Sequence, residues 1–474
     1  MVSWKIRRAL AKEKQIMKLY LLSLGCARNL VDSEIMLGRI KRAGWAIVEE
    51  PETADVIVVN TCSFIEEAVE ESIEMILDLA RYKQVGSCRR LVVAGCLPQR
   101  YREQLADQLP EVDAFIGTGA FHHIVEAIEG SKFLKGCLLP DPDFISPQEP
   151  NVPRALSASH MAYLKVAEGC NRHCTYCIIP KLRGKQRSRP TEEVICEARD
   201  LFAAGIKELV LVAQDTTAYG KDLRPATNLS RLVETLAGLA LDQRRNSGAR
   251  VDGNDSPCTW IRVLYGHPES IDDSFIKTVA SHPNVCSYFD IPIQHASSPV
   301  LKKMGRRYTR DDLRRLFDKI RSKVPGASLR TTILVGFPGE RDKDFKALLH
   351  FVEETQFDHL GVFLYSDSKD IASHALPGHV PAGVAQERYD QLMSSQLDIS
   401  AQNYRKYIGQ TLEVLVEEAV EDKLYAGRAT FQAPEVDGMT YIKTRFAQAD
   451  PRIGSFSRIK VTDAMEYDLI GDSI

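Results

Sequence analysis

Six of the eleven cysteines fall into two unlike triplets. Cys170, Cys174 and Cys177 share one short loop with the spacing C-x₃-C-x₂-C. Cys26, Cys62 and Cys96 are 36 and 34 positions apart (62−26, 96−62), yet each stands where a strand is expected to end. Three thiolates make a poor closed zinc site, because structural zinc takes four ligands. They suit an iron–sulfur cluster with one iron left open for chemistry. Two such sets in one chain point to two clusters and a reaction between them. The plainer reading is a zinc loop, or cysteines used for packing, for which they are well suited. Cys88, Cys137, Cys196, Cys258 and Cys286 have no partner pattern and read as structural.

The elements that must position these residues alternate between strand and helix. KLYLLSLG, ADVIVVNT, RLVVAG and AFIGTG read as strands. Helices are expected over VDSEIMLGRIKRAG, FIEEAVEESIEMILDLARYK, REQLADQL and HHIVEAIEG. Apolar strands separated by helices predict a parallel sheet covered on both faces. Cys26, Cys62 and Cys96 then fall at the carboxyl edge of that sheet, the edge where open α/β sheets bind ligands. Residues 137–160 carry five prolines and read as an extended connection.

Six further strands are expected: YLKVAEG, ELVLVAQD, WIRVLYG, YFDIPIQH, LRTTILVGFP and HLGVFLYS. Helical patterns between them, such as TEEVICEARDLFAAG and RDDLRRLFDKIRSK, predict an open (β/α)₆ version of the TIM barrel. Such barrels carry their functional groups at the strands' C-terminal ends. Asp215, Gln294 and Glu340 (in the GFPGE turn) stand there and read as residues that hold a cofactor or substrate. His267 and His295 read as packed histidines. Residues 242–258 are polar and Gly-rich and read as a flexible surface insertion. After the helix around residues 386–409 the pattern changes to short strands and turns, which predicts a small β-barrel. The expected fold is therefore α/β with a C-terminal β-barrel. Its parts are an N-terminal parallel-sheet domain (18–135), a linker (136–158), a partial TIM barrel (159–402) and a β-barrel (404–474).

At 474 residues the chain has room for about three domains. No apolar run is long enough to span a membrane. An odd cysteine count with no signal peptide argues against a disulfide framework and for a reducing, cytoplasmic setting. The basic first 17 residues read as an extension before a possible start at Met17.

The loop spacing, with Tyr176 before its last cysteine, resembles the radical S-adenosylmethionine signature. SLGCARNLVDSEIMLG, VVNTCSFIEEAVEES and VVAGCLPQRY resemble the N-terminal domain of the methylthiotransferases. YLKVAEGCNRHCTYCIIPKLRGKQRSRP resembles their radical domain, and the C-terminal barrel resembles a TRAM domain. The resemblance runs from about Lys18 to the C-terminus. It implies two [4Fe–4S] clusters and S-adenosylmethionine as cofactors. Cys170, Cys174 and Cys177 would hold the radical-generating cluster, whose open iron takes the amino and carboxylate groups of S-adenosylmethionine. One electron then cleaves that cofactor and releases a 5′-deoxyadenosyl radical. Cys26, Cys62 and Cys96 would hold the auxiliary cluster that carries the sulfur to be inserted.

The methylthiotransferases have two main branches. One modifies adenosine in transfer RNA. The other methylthiolates the β-carbon of an aspartate in small-subunit ribosomal protein twelve. LVLVAQDTTAYG, WIRVLYGHPESI, PIQHASSPVLKKM and GRATFQAPEVDGMTYI resemble the second branch. GCARN stands where GCPKN is expected, and no Gly-Thr pair precedes YSDSKDIASHALPGHVP. Charge points the same way: residues 404–474 carry nine Lys/Arg against twelve Asp/Glu. An RNA-gripping barrel should be basic, whereas an acidic one suits a basic protein. The expected partners are ribosomal protein twelve, an electron donor such as a flavodoxin or ferredoxin, and a sulfur donor. The rival readings are tRNA methylthiolation and a non-enzymatic cluster-bearing module.

Overall fold

The structure, a computed structural model, describes residues 16–130, 136–144, 154–246, 259–444 and 450–474. The chain divides into two compact units, residues 1–155 and 156–474.

The first unit is built on a six-stranded parallel sheet. Its strands are β1 (Lys18–Ser23), β2 (Ala46–Ile47), β3 (Val56–Thr61), β4 (Arg90–Gly95), β5 (Ala114–Gly117) and β6 (Gly136–Leu138), in the order β2-β1-β3-β4-β5-β6. β3 is buried along its whole length, as a strand covered on both faces must be. The helix Glu66–Ala80 turns Val69, Ser72, Ile76 and Leu79 inward at three- and four-residue spacing, leaving its acidic residues outside. It stops at Ala80 rather than continuing to Lys83, and a separate turn, Tyr82–Val85, follows. The first helix starts earlier than its apolar pattern suggested, at Ala27 instead of Val31. Asn29 allows this early start, because its side chain is buried and bonded to the ends of two strands.

The second unit carries the six expected strands around an apolar core. Met161–Lys165 is β7, and the short strands Ala167–Glu168 and Arg187–Ser188, β8 and β9, pair with each other beside it. β10 (Glu208–Val212) lies between β7 and β11 (Trp260–Val263). β12 (Tyr288–Asp290), β13 (Ser328–Val335) and β14 (His359–Leu364) continue the wall. A parallel bridge from Ile261 to Val285 and the bond from Gly266 N to Asp290 O (2.8 Å) join the two halves. All pairings among these six strands are parallel, giving the open partial barrel. The helix Arg310–Lys323 starts at a capping box between Thr309 and Asp312. The helix Leu229–Asn246 runs into the segment expected to be a flexible insertion. Residues 242–246 are therefore helical, and 247–258 lie outside the described residues.

The C-terminal strands β15 (Thr411–Glu421), β16 (Leu424–Ala429), β17 (Thr440–Lys443), β18 (Phe456–Ala464) and β19 (Leu469–Ser473) close into a barrel. β18 and β19 are separated by a turn where Met465 N donates to Asp468 O.

Buried charge fastens this small barrel to the N-terminal ends of the partial-barrel strands. Glu208, the first residue of β10, accepts from Arg262 on β11 (2.6 Å) and from Arg428 on β16 (2.5 Å). All three side chains are fully buried. Arg428 also pairs with Glu417, which bonds His160. Asp437 accepts from Tyr288, the first residue of β12 (2.6 Å), and His359, the first of β14, bonds Phe431 O (2.7 Å). The segment GRATFQAPEVDG thus packs the barrel onto its neighbour. Among the described residues, no helix is long and apolar enough to cross a membrane.

Candidate functional site

In the first unit three neighbouring strands bring the dispersed cysteines to one edge. β1, β3 and β4 are adjacent and parallel, with Ser23 opposite Asn60 and Thr61 opposite Gly95. Cys62 and Cys96 directly follow β3 and β4, and Cys26 comes three residues after β1. Two glycines in the left-handed region allow the close approach. A side chain at Gly25 (φ +90) would stand 2.8 Å from Cys62 Cβ and 3.2 Å from its Sγ. One at Gly95 (φ +97) would stand 2.4 Å from Asn60 Oδ1 and 2.7 Å from Thr61 O. Each cysteine-bearing turn therefore rests on the next.

Buried polar side chains lock these turns. Asn29 Nδ2 donates to Leu24 O (2.7 Å) and Thr61 O (3.2 Å). Asn60 Nδ2 donates to Asn29 O and Ser33 Oγ. Thr61 Oγ1 donates to Ala94 O and accepts from Leu97 N, tying β3 to β4. Ser72 Oγ accepts from Cys62 N and donates to Cys62 O. Cys26 occupies the N-cap position of the helix Ala27–Arg42 without a side-chain capping bond, and a helix N-terminus favours a thiolate. Sequence reading missed Asn29, Asn60, Thr61 and Ser72. The available signal was polarity in runs otherwise fit for burial.

In the second unit the C-x₃-C-x₂-C loop leaves the C-terminal end of β7 and β8 and returns at Ile179. Gly169 (φ +79) lets the loop cross the return segment, since a side chain there would stand 2.1 Å from Lys185 O. Cys170 N donates to Gly184 O (3.0 Å) and Cys177 N to Cys174 O (3.1 Å). All three cysteines are half-buried. Burial, and next the neighbouring Cys174, push the Cys177 thiol up to about 12. Burial also raises Cys170. Without metal these sulfurs would stay protonated; iron supplies the positive charge that stabilises thiolates in such surroundings. Among the described residues, no group of His, Cys, Asp and Glu is gathered as the ligands of a single ion. A four-iron cluster is wider than one ion and takes thiolates standing further apart. Both triplets fit such a cluster in donor type and number.

Asp215 is buried after β10 and accepts from Arg172 Nε (2.9 Å) and Thr217 Oγ1 (2.8 Å). Arg172, inside the cysteine loop, also reaches Glu269 (2.6 Å) and Ser270. It therefore ties the loop to the ends of β10 and β11. Glu168 gathers Lys165 Nζ (2.7 Å), Arg183 and Gln214 Nε2 (2.6 Å) immediately before the loop. Gln294 follows β12 with a left-handed backbone (φ 66) and a half-buried side chain. Glu340 is buried after β13 and accepts from Gly336 N (2.8 Å), Phe337 N and Arg388 Nη1 (3.1 Å). Burial pushes its carboxyl up to about 7, against the pull of Arg388 and the two amides.

His267 and His295 are buried and held neutral, burial lowering them to about 2 and about 3. Each accepts a backbone N–H on Nδ1, from Glu269 and Ser297 respectively. The structure thus joins Asp215 to the cysteine loop through Arg172. Glu340 belongs to a separate network with Arg388 and His295, 4.0 Å away. Arg172 and Glu168 went unread because their roles depend on partners 43 and 46 residues distant.

Three family descriptions match successive stretches of the chain. Residues 18–117 match "Uncharacterized protein family UPF0004", 164–352 the radical SAM superfamily and 408–474 the TRAM domain. A solved radical S-adenosylmethionine methyltransferase, TsrM from Kitasatospora setae, shares the fold at 14% identity and a TM-score of 0.52. The match covers 85% of this chain and 79% of that one. Fold and site together define a radical SAM enzyme of the methylthiotransferase type.

Full-length relatives narrow the class. The ribosomal protein uS12 methylthiotransferase RimO of Desulfosudis oleivorans is 51% identical over 96% of this chain and 100% of its own length. The RimO proteins of Clostridioides difficile and Geobacter sulfurreducens are each 46% identical, over 96% and 98% of this chain and 99% of their own lengths. The chain belongs to the RimO family of radical SAM methylthiotransferases.

Proposed function

We propose that this enzyme methylthiolates the β-carbon of an aspartate in ribosomal protein uS12. The observation that carries the proposal is identity of 43–51% to RimO proteins along nearly the whole chain. In this reading Cys170, Cys174 and Cys177 hold the radical-generating [4Fe–4S] cluster. Cys26, Cys62 and Cys96 hold a second, auxiliary cluster. With S-adenosylmethionine bound, the two clusters supply a hydrogen-abstracting radical and a methylated sulfur.

The chain's own residues position that chemistry. Arg172 and Asp215 fix the cysteine loop against the strand ends, and Glu168 gathers Lys165, Arg183 and Gln214 just before it. Gln294, in its left-handed turn just after β12, is assigned to the cofactor site by its position at that strand's C-terminal end. Glu340 shapes the turn after β13 by holding two amides and Arg388, and so supports the cofactor pocket. Asp215 supports the same pocket through Arg172. The enzyme requires a sulfur donor and a one-electron donor such as a flavodoxin or ferredoxin. Its place of action would be the cytoplasm, where its substrate is made.

The test is the intact mass of uS12 from cells with and without the gene. Loss of one added S–CH₂ unit on deletion, localised to an aspartate, is the expected result. An unchanged mass, with methylthioadenosine missing from tRNA instead, would overturn the substrate assignment.

A further inference from the structure

The segment 301–310 reads LKKMGRRYTR, five cations without a carboxylate. It packs directly against the cysteine loop. Thr175 donates from N to Met304 O (3.1 Å) and from Oγ1 to Lys303 O (2.8 Å). A side chain at Gly305 would stand 2.5 Å from His173 O and 3.6 Å from Cys174 Cα. Arg306 lies over the rings of Tyr176 and Tyr308, 5.9 Å from each centroid, and donates to Tyr176 Oη. Its Nε and Nη1 are buried without a partner, an arrangement that favours an incoming acceptor.

Between segment and loop lies an open cavity of about 540 Å³ lined by His173, Ser298, Lys302, Arg306, Arg307 and Tyr308. Lys302 and Arg307 are exposed on it. The nearby carboxylate of Glu269 is taken up by Arg172 and by Arg307 N. The face is therefore positive, and it adjoins the residues that carry the cluster cysteines. A basic face does not suit the proposed substrate, because proteins that bind ribosomal RNA are themselves basic and like charges oppose association. It suits a negatively charged partner. The chemistry requires one such encounter, since an electron must enter the cluster, and electron transfer slows steeply with distance.

We propose that this cavity, with its rim of Lys302 and Arg307, is the docking site of an acidic one-electron donor protein. The reduced donor gives up one electron and the cluster on Cys170, Cys174 and Cys177 gains it; no bond breaks and no proton moves. Such encounters use small, charge-steered interfaces that weaken with salt. The inference rests on the reading that this loop holds a reducible cluster, but not on uS12 being the substrate.

The test uses the reconstituted full-length enzyme, a strongly acidic flavodoxin as probe, and the double variant K302E/R307E. Flavodoxin binding should weaken at least tenfold, and more in the wild type as salt is raised. Cluster reduction by flavodoxin, followed optically, should slow by a similar factor. Reduction by dithionite, the thermal transition and uS12 affinity should not change; together these controls exclude misfolding and a damaged cluster. Unchanged flavodoxin affinity in a folded variant would overturn the proposal. So would a large change in uS12 affinity, which would assign the face to the substrate. If uS12 proves not to be modified while flavodoxin binding follows the charges, the docking site stands and only the substrate assignment falls.

Discussion

Single residues divide the two triplets by experiment. Cys174→Ala should abolish 5′-deoxyadenosine formation while leaving about half of the iron, measured on anaerobically reconstituted protein. Retained cofactor cleavage would remove Cys174 from its role. Gly25→Ala tests the other triplet without touching a sulfur. Its backbone is left-handed, and the new methyl would meet Cys62 at 2.8 Å. The conformation alone costs roughly 1–2 kcal/mol, and the contact must displace Cys62. The expected variant cleaves S-adenosylmethionine normally but transfers no methylthio group, with weakened auxiliary-cluster absorbance. Full transfer activity would show that the close approach of the two turns is dispensable.

Among elements, the joint between the partial barrel and the small barrel depends on buried charge. Replacing Glu208 with Ala leaves Arg262 and Arg428 without their shared counter-charge. Removing one partner of a buried pair typically costs about 3–5 kcal/mol, so denaturant unfolding should shift by that order. The same joint sets an acid limit. Burial would raise the Glu417 carboxyl, but hydrogen bonds from His160 and Arg428 outweigh it and hold it at about 2, below its ordinary 4.5. An acid depressed in the folded state contributes stability fully above its unfolded value. That contribution is lost as pH falls from about 4.5 toward 2. Thermal unfolding should therefore show a loss of stability in this window, and the variant Glu417→Gln should flatten it. Equal acid sensitivity in both proteins would place the titrating group elsewhere.

Elements also show where sequence reading succeeded. Strand positions were legible because β3, β4 and β10 are continuous apolar runs. The cysteine edge was legible because strand ends are marked by Gly25, Thr61 and Gly95. The networks of Glu208 and Asp437 were not, since a buried Arg–Glu pair looks in sequence like two surface charges. GRATFQAPEVDG carried a family resemblance whose physical reason, packing between barrels, emerged only from contacts made over a hundred residues away. The start of the first helix was misplaced because Asn29 looks like a loop residue until its two carbonyl partners are known.

For the molecule as a whole, the two-cluster reading predicts roughly eight irons per reconstituted chain, four for each triplet. Loss of either triplet should leave roughly half, and a wild-type content near four would exclude the second cluster. The placement of the cysteines also sets an order of events during maturation. The loop triplet spans eight residues (170 to 177), a closure that needs almost no preceding structure. The other triplet spans 71 residues (26 to 96), and its sulfurs meet only when three parallel strands have found their register. Non-local parallel pairing is slow to form. On the two-cluster reading, iron delivered to the nascent chain would find a binding loop early in one place and a finished sheet late in the other. On that reading, the second metallation would report that the N-terminal sheet has folded, and a chain with a misregistered sheet would be left without an auxiliary cluster.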